Sequence, residues 1–282
     1  MNANNKQEKN TEKSSKKSLF KKYELVVFFF ITFVITWGFD LIGIIFIDYY
    51  YPFLIMGAFG PFIAALLVIY GTERSEGLKG FFQKFKKING FKWLIFSVFI
   101  YGGGLLIGAW LITLFGGDII NPYQSTPFFT IILNISLIFF VTTFLTGGNE
   151  EPGWRGYALP ALLKRFKPLW ASIILGVIWA FWHIPTFFLP TIQSFIPFYL
   201  YFPHIIFLSI IFTWLYIRTE ESVVYAIIFH GLINMLLGIV LDFLDITLNQ
   251  FLLLIFIFLI IEACFSILLV FFEKEIFLKT AD

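Results

Sequence analysis

Eight long apolar segments, separated by short polar or charged connections, dominate the pattern of this chain. Each segment holds about 19 to 25 residues, close to the roughly 20 that a helix needs to cross the hydrocarbon core of a bilayer. The pattern therefore predicts an all-α fold, a polytopic transmembrane helical bundle of about eight spans. The predicted spans are Tyr23–Ile47, Pro52–Tyr70, Trp93–Phe115, Pro127–Leu145, Leu169–Leu189, Tyr199–Ile217, Val223–Leu241 and Phe251–Phe272.

The composition supports a membrane protein and excludes a soluble domain. The 282 residues are 59% hydrophobic and only 13% charged, and 40 of them are Phe, so the polar residues could not cover a water-exposed surface. The single cysteine, Cys264, excludes an intramolecular disulfide framework. The net charge of +2 is small and gives no sign of nucleic-acid binding.

The charged residues divide the connections into two kinds. All lysines and arginines fall in the two termini or in the second, fourth and sixth connections, with Arg155 assigned to the fourth. Because basic residues favour the cytoplasmic side, both termini are predicted to be cytoplasmic. The predicted organisation is a disordered basic tail over residues 1–22, a transmembrane bundle over 23–272 and a cytoplasmic tail over 273–282. The predicted location is a bacterial cell membrane, as a multi-pass protein.

Two adjacent carboxylates, Glu150 and Glu151, stand at the end of the fourth apolar segment, and Arg155 follows them. Charged residues at membrane depth are costly and are mostly retained for function. Helical spacing puts Glu151 and Arg155 on one face, in the order that favours an ion pair. Glu150 then points elsewhere and is free to act as a base.

Three further polar residues lie in later spans. His183 is in the fifth span, and His230 and Asn234 share one helix face in the seventh. His204, at the start of the sixth span, is interpreted as a hydrogen-bonded packing residue. A carboxylate beside an imidazole can take a proton from water, while a His–Asn pair can donate hydrogen bonds to an oxyanion. The same Glu and two His are also typical of a zinc site with an open position.

The depths of these residues present a difficulty. With the boundaries above, Glu150 lies near the cytoplasmic end of its span, but His183 lies about 20 Å into its own. A break at Gly147–Gly148 and Pro152 would resolve the difference, with Asn149 capping a new helix. Alternatively, the fourth helix starts deeper, or the fifth begins before Leu169, near Pro160.

The motifs Glu150-Glu151-xxx-Arg155, Trp179-xxx-His183 and His230-xxx-Asn234 stand in this order on successive helices. In this the chain resembles the CPBP family of intramembrane proteases, over roughly residues 125–240. That family includes the type II CAAX prenyl endopeptidases and bacterial relatives linked to bacteriocin self-immunity. The resemblance implies that Glu151 and Arg155 hold the site together, with Glu151 assisting catalysis.

The resemblance also implies roles for the other four polar residues. Glu150 would activate the attacking water with help from His183, and His230 with Asn234 would stabilise the tetrahedral oxyanion. A glutamate mechanism with no metal or other cofactor is favoured, because Asn234 suits an oxyanion pair. In the competing account, Glu150, His183 and His230 bind zinc.

The expected function is therefore an intramembrane endopeptidase. Its expected partners are a membrane-associated peptide or protein substrate and the lipid bilayer, with no nucleic acid. Two alternatives remain open at this point. One is a proton-coupled transporter, in which the buried Glu and His residues relay protons. The other is a non-catalytic membrane immunity or scaffold protein that keeps these motifs for folding.

Overall fold

The computed structural model describes residues 23–278 and is almost entirely helical. Within this range, eight helical segments are long and apolar enough to cross a membrane, which confirms the predicted all-α bundle. The two terminal stretches, 1–22 and 279–282, lie outside the described residues, and so does the predicted N-terminal tail. The α-helices are α1 Glu24–Ile45, α2 Tyr50–Ala58, α3 Gly60–Gln83, α4 Phe91–Thr113, α5 Phe128–Phe144, α6 Glu151–Gly153, α7 Leu159–Leu163, α8 Pro168–Trp182, α9 Phe198–Arg218, α10 Val223–Asp242, α11 Leu248–Phe272 and α12 Lys274–Phe277.

Short 3₁₀ and π turns connect several of these helices, and one small strand pair joins two loops. The strands β1, Asp118–Ile119, and β2, Leu244–Asp245, pair antiparallel with Asp118 opposite Asp245. The 3₁₀ turns are Ile47–Tyr49, Lys84–Lys86, Gly148–Glu150, Ile184–Phe188 and Ile192–Phe195, and the π turn is Trp154–Ala158. Two of these turns, Gly148–Glu150 and Trp154–Ala158, interrupt the span that runs from Phe128 to Leu163.

The fourth span is much longer than the sequence pattern predicted. It runs from Phe128 to Leu163, so its predicted end at Leu145 is wrong. The α5 helix stops at Phe144, and the chain bends through the extended backbone of Gly147 before helical structure resumes. Asn149 does not cap the new helix; its side-chain oxygen accepts a hydrogen bond from the Gly147 N–H at 2.9 Å.

This longer span explains how Glu150 and His183 reach a similar depth in the bundle. Glu150 lies thirteen residues before the span ends at Leu163, and the fifth span begins only a few residues later, at Pro168. Glu150 and His183 are therefore each about 20 Å from the turn that joins their helices, at about 1.5 Å per residue. Arg155, assigned to a loop from its charge, is instead fully buried within the fourth span.

The end of α8 determines where His183 points. Pro185 has no N–H for a helical hydrogen bond and its ring collides with the preceding turn, so a helix cannot continue through it. The helix α8 ends at Trp182, His183 is its C-terminal cap residue, and a 3₁₀ turn follows. His183 thus stands at a helix end in the interior of the bundle, where its ring is buried.

The core is built mainly from α8, α9 and α10 packed with the second half of the fourth span. Helix α9 packs on α8 and α11, and α10 packs on α5 and α4. Gly153 contacts the backbone of Pro61 so closely that no side chain would fit there. This contact holds the second span against residues 150–155. The largest fully buried side chains include Trp154, Trp179 and Trp214.

Candidate active site

Glu151 forms the centre of a buried network of charged groups. Its Oε1 accepts a hydrogen bond from Arg155 Nη1 at 3.0 Å, one helical turn away, and another from His230 Nδ1 at 2.8 Å. None of the Glu151 or Arg155 side chain is exposed. A buried charge is tolerated when it is paired and hydrogen-bonded. Glu151 therefore ties the broken fourth span to α10.

Aromatic rings enclose the Arg155 guanidinium. Its central carbon lies 4.4 Å from the ring centroid of Trp179 and 4.1 Å from that of Phe212. A guanidinium is attracted to the negative face of an aromatic ring, and more strongly where water is excluded. Ring faces and the Glu151 carboxylate together replace the water that this cation loses on burial.

Glu150 is buried beside Glu151 but has different partners. Its Oε2 accepts hydrogen bonds from the indole N–H groups of Trp179, at 2.9 Å, and of Trp154, at 3.3 Å. These donors are neutral, so they orient the carboxylate without cancelling its charge. In the sequence, Trp179 stood out only as the first residue of the motif that ends at His183. The spacing of Trp154, four residues after Glu150, could have indicated its contact.

The two imidazoles at the site are each fixed through one ring nitrogen. His183 Nδ1 lies 2.9 Å from the Trp179 carbonyl oxygen, and His230 Nδ1 lies 2.8 Å from the Glu151 carboxylate. The Trp179 carbonyl oxygen can only accept a hydrogen bond, and so can the Glu151 carboxylate when it is ionised. Each Nδ1 is therefore assigned as the donor. This leaves Nε2 of each ring as the nitrogen available for chemistry.

The break in the fourth span also brings α10 to the site. A Cβ added to Gly147 would lie 2.6 Å from Asn234 Nδ2 and 3.1 Å from the His230 ring, so only glycine allows this approach. His230 and Asn234 are one helical turn apart on α10 and face the same way. The irregular backbone at Gly147 therefore lies against the same pair that sequence spacing placed together.

A cavity of about 370 Å³ collects the predicted residues. Glu150, His183, His230 and Asn234 all line it, whereas Glu151 and Arg155 are not among its lining residues. Most of the remaining wall is apolar, with side chains from α9, α10, α11 and the segment just before α9. These are Ile192, Ile196, Ile205, Leu208, Ile233, Leu237, Ile255 and Phe258. The cavity is thus a hydrophobic pocket with a few polar groups on its wall, as is typical of ligand sites.

His204 and Glu262 form a second carboxylate–imidazole pair at the same cavity. His204 Nδ1 lies 2.6 Å from Glu262 Oε2, and the His204 side chain lines the cavity. His204 is hydrogen-bonded, as the sequence interpretation expected, and its partner joins α9 to α11. Sequence reasoning missed Glu262 in the last span. An acidic residue inside an otherwise apolar segment was the signal that could have indicated it.

The residues do not form an evident metal site. Between residues 23 and 278, no group of three or more His, Cys, Asp or Glu side chains is arranged to hold a metal ion. The carboxylate of Glu150 is oriented by two indole N–H donors, and such donors compete with a metal for its oxygen. The described residues, in this arrangement, therefore do not fit a zinc ion.

Comparison with known proteins identifies what the chain is similar to. Residues 132–236 match the family model described as type II CAAX prenyl endopeptidase Rce1-like. The chain is also 28% identical, over 229 residues, to CAAX prenyl protease 2 of the archaeon Methanococcus maripaludis. That match covers 76% of this chain and 84% of the relative. The region matched by the family model contains Glu150, His183, His230 and Asn234.

Proposed function

Because the chain belongs to the CPBP/Rce1-like family of intramembrane proteases, we propose that it hydrolyses a peptide bond with water activated by Glu150 and His183. One observation supports this most directly: Glu150, His183, His230 and Asn234, from three spans, line one cavity within the bundle. A lone polar group in a membrane has many uses. Four groups with complementary chemistry around one pocket suit a single reaction.

The first step is the attack of water on the peptide carbonyl. Glu150 accepts one proton of the water, and Nε2 of His183 accepts a hydrogen bond from the other O–H. The water oxygen forms a bond to the carbonyl carbon, and the carbonyl π electrons move onto its oxygen. Apolar walls strengthen these interactions, because they exclude competing bulk water.

The oxyanion then requires hydrogen-bond donors, which Asn234 and His230 can supply. The side-chain amide of Asn234 donates directly. His230 donates from Nε2 when its ring carries both protons, while Nδ1 stays bonded to the Glu151 carboxylate. With both carboxylates ionised, Arg155 and this imidazolium bring the total charge of the buried cluster to zero. Donors placed in advance stabilise the charge that develops in the transition state.

Collapse of the tetrahedral intermediate completes the reaction. The C–N bond breaks, and the proton held by Glu150 passes to the leaving nitrogen, which departs as an amine. The other product ends in a new carboxylic acid, whose remaining water-derived proton is taken up by the amine as the two products separate, leaving a carboxylate and an ammonium group. Glu150 is regenerated as a base, so the cycle needs no covalent enzyme intermediate and no cofactor.

The substrate class follows from the relative and from the cavity. The archaeal relative is named as a CAAX prenyl protease, and the cavity here combines an aliphatic wall with a few polar groups. We propose a membrane-associated protein or peptide with an apolar segment near the cleaved bond, such as one ending in a prenylated CAAX sequence. The bacterial location and the role in bacteriocin immunity stay predictions.

The experiment is a comparison of membrane proteomes from cells producing the wild type or Glu150→Ala. We expect peptide termini that depend on the wild type and disappear in the variant, although both proteins accumulate equally in the membrane. Glu76→Gln, at an exposed position on α3, serves as the control and should resemble the wild type. Identical termini in all three samples, together with proton-coupled solute uptake by the purified protein, would instead support a transporter.

A further inference from the structure

A second, smaller cavity is also lined by Glu150 and His183, and we refer to it as the Asp40 chamber. Its volume is about 80 Å³, and it shares four wall residues with the main cavity, namely Thr146, Glu150, His183 and Gln193. Its remaining wall comes from the first two spans and the end of the fifth: Thr36, Asp40, Leu54, Ala58, Trp182, Thr186 and Thr191. Glu150 and His183 therefore stand between two cavities.

The Asp40 chamber contains polar groups that the surrounding protein does not satisfy. Asp40, on α1, is 1% exposed, and neither of its carboxylate oxygens has a hydrogen-bond partner among the described residues. The indole N–H of Trp182, which is 3% exposed, likewise has none within residues 23–278. The chamber thus joins two acceptor oxygens and one donor to the wall that carries Glu150.

Unsatisfied polar groups of this kind are costly in a membrane interior. Leaving a buried donor or acceptor unpaired costs about 1–3 kcal/mol, and more for a charged group. Buried water is the usual partner where a cavity is polar and roomy enough, at about 10–15 Å³ of such volume for each molecule. A chamber of about 80 Å³ with hydroxyl, carboxyl and indole groups on its wall meets both conditions for several waters.

We infer that the Asp40 chamber is a water-binding site that supplies the hydrolytic water to Glu150, with Asp40 and Trp182 as positioning residues. This inference rests on the proposed function. A peptide in the main cavity would cover its apolar walls and displace water from them. Glu150 and His183 line both cavities, so water held in the Asp40 chamber can enter the reaction while the substrate occupies the main cavity.

The inference is tested first by activity, with two variants of similar size at Asp40. The probe is a reporter peptide with a prenylated CAAX terminus, cleaved by the full-length protein in liposomes. We expect Asp40→Leu to lower kcat by about tenfold or more with KM within about twofold, because substrate binding is untouched. Asp40→Asn, which still binds water, should stay within about threefold of the wild-type kcat. Equal kcat for Asp40→Leu and the wild type would overturn the inference.

Hydroxyl-radical labelling by X-ray pulses provides a second test that needs no activity. Water bound in the chamber should cause labelling of Trp182 in the wild type, and Asp40→Leu should remove that labelling. Trp154, which is also buried but does not line the chamber, is the internal control. If Trp182 is labelled no faster than Trp154, the chamber is dry and the inference is wrong, even if both Asp40 variants lose activity. Labelling of Trp182 in a protein that cleaves no peptide would instead support the chamber and contradict the proposed function.

Discussion

Two carboxylate–imidazole pairs each place their histidine on the wall of the same cavity, yet their surroundings differ. Glu151 holds His230 at 2.8 Å, and Glu262 holds His204 at 2.6 Å. The first pair also contacts Arg155 and stands beside a second carboxylate, Glu150. The second pair comes from α9 and α11, and the rings of Tyr201 and Phe258 lie beside its histidine. A carboxylate–imidazole pair alone therefore does not identify the candidate catalytic residue. What distinguishes the first pair is the neighbouring carboxylate of Glu150 and the cation of Arg155.

The difference follows from the charge that each cluster must hold. Around His230, two carboxylates lie beside Arg155 and one imidazole, so Glu150 is a second carboxylate that is not tied to the arginine. Around His204, a single carboxylate faces a single imidazole, and one proton between them forms the hydrogen bond that joins them. A cluster with a spare base suits proton abstraction. A self-contained pair suits the joining of two helices.

Removal of the Arg155 cation should have the largest effect on the first pair. Arg155→Met keeps most of the side-chain volume but leaves Glu151 without its arginine partner. Loss of one member of a buried ion pair costs about 3–5 kcal/mol. We therefore expect a large drop in Tm in detergent and no measurable peptide cleavage. Arg218→Met, at a partly exposed pair with Glu273, is the control and should lower Tm much less. Equal Tm changes in the two variants would show that burial of Arg155 is energetically unimportant.

Substitution of His230 and of His204 should affect catalysis to different degrees. His230→Gln removes the imidazolium donor to the oxyanion, so kcat should fall by about 10²–10³, the usual cost of one such donor. His204→Gln leaves the catalytic groups in place, and its kcat should stay within about tenfold of the wild type. Steady-state cleavage of one reporter peptide by both variants provides the measurement. A larger loss of kcat in His204→Gln than in His230→Gln would reverse the roles assigned to the two pairs.

The smallest expected effect is that of metal removal. In the proposed mechanism, His183 and His230 act through hydrogen bonds, so prolonged dialysis against a strong chelator should leave the cleavage rate within about twofold. The rate is measured before and after dialysis, and the metal content is determined in parallel. Loss of activity that zinc alone restores would favour the zinc account, with Glu150, His183 and His230 as ligands.

Sequence reasoning was sufficient where the information is local. The spacing of Glu151 and Arg155, or of His230 and Asn234, places each pair on one helix face whatever surrounds it. The eight spans were likewise visible from the length of the apolar segments. Local spacing also separated the two adjacent acids, one facing Arg155 and the other facing the cavity.

The fourth span shows where such reasoning fails. Glu150, Glu151 and Arg155 interrupt the hydrophobic pattern, so the helix was ended before them and Arg155 was assigned to a loop. In the structure, Trp179 and Phe212 cover the guanidinium and the carboxylate pairs with it, so the cation remains at membrane depth. These contacts join residues far apart in sequence, and no property of the local segment indicates them. The same holds for the contacts of His204 with Glu262 and of Glu150 with Trp179.

The most direct test of the central claim is the cleavage rate of three Glu→Gln variants, purified and reconstituted side by side. Glu150→Gln removes the proposed base, Glu262→Gln alters the second pair, and Glu76→Gln changes an exposed acid. We predict no detectable cleavage by Glu150→Gln at a Tm close to that of the wild type, with cleavage retained by the other two. Cleavage by Glu150→Gln at the wild-type rate would contradict the assignment of Glu150 as the base.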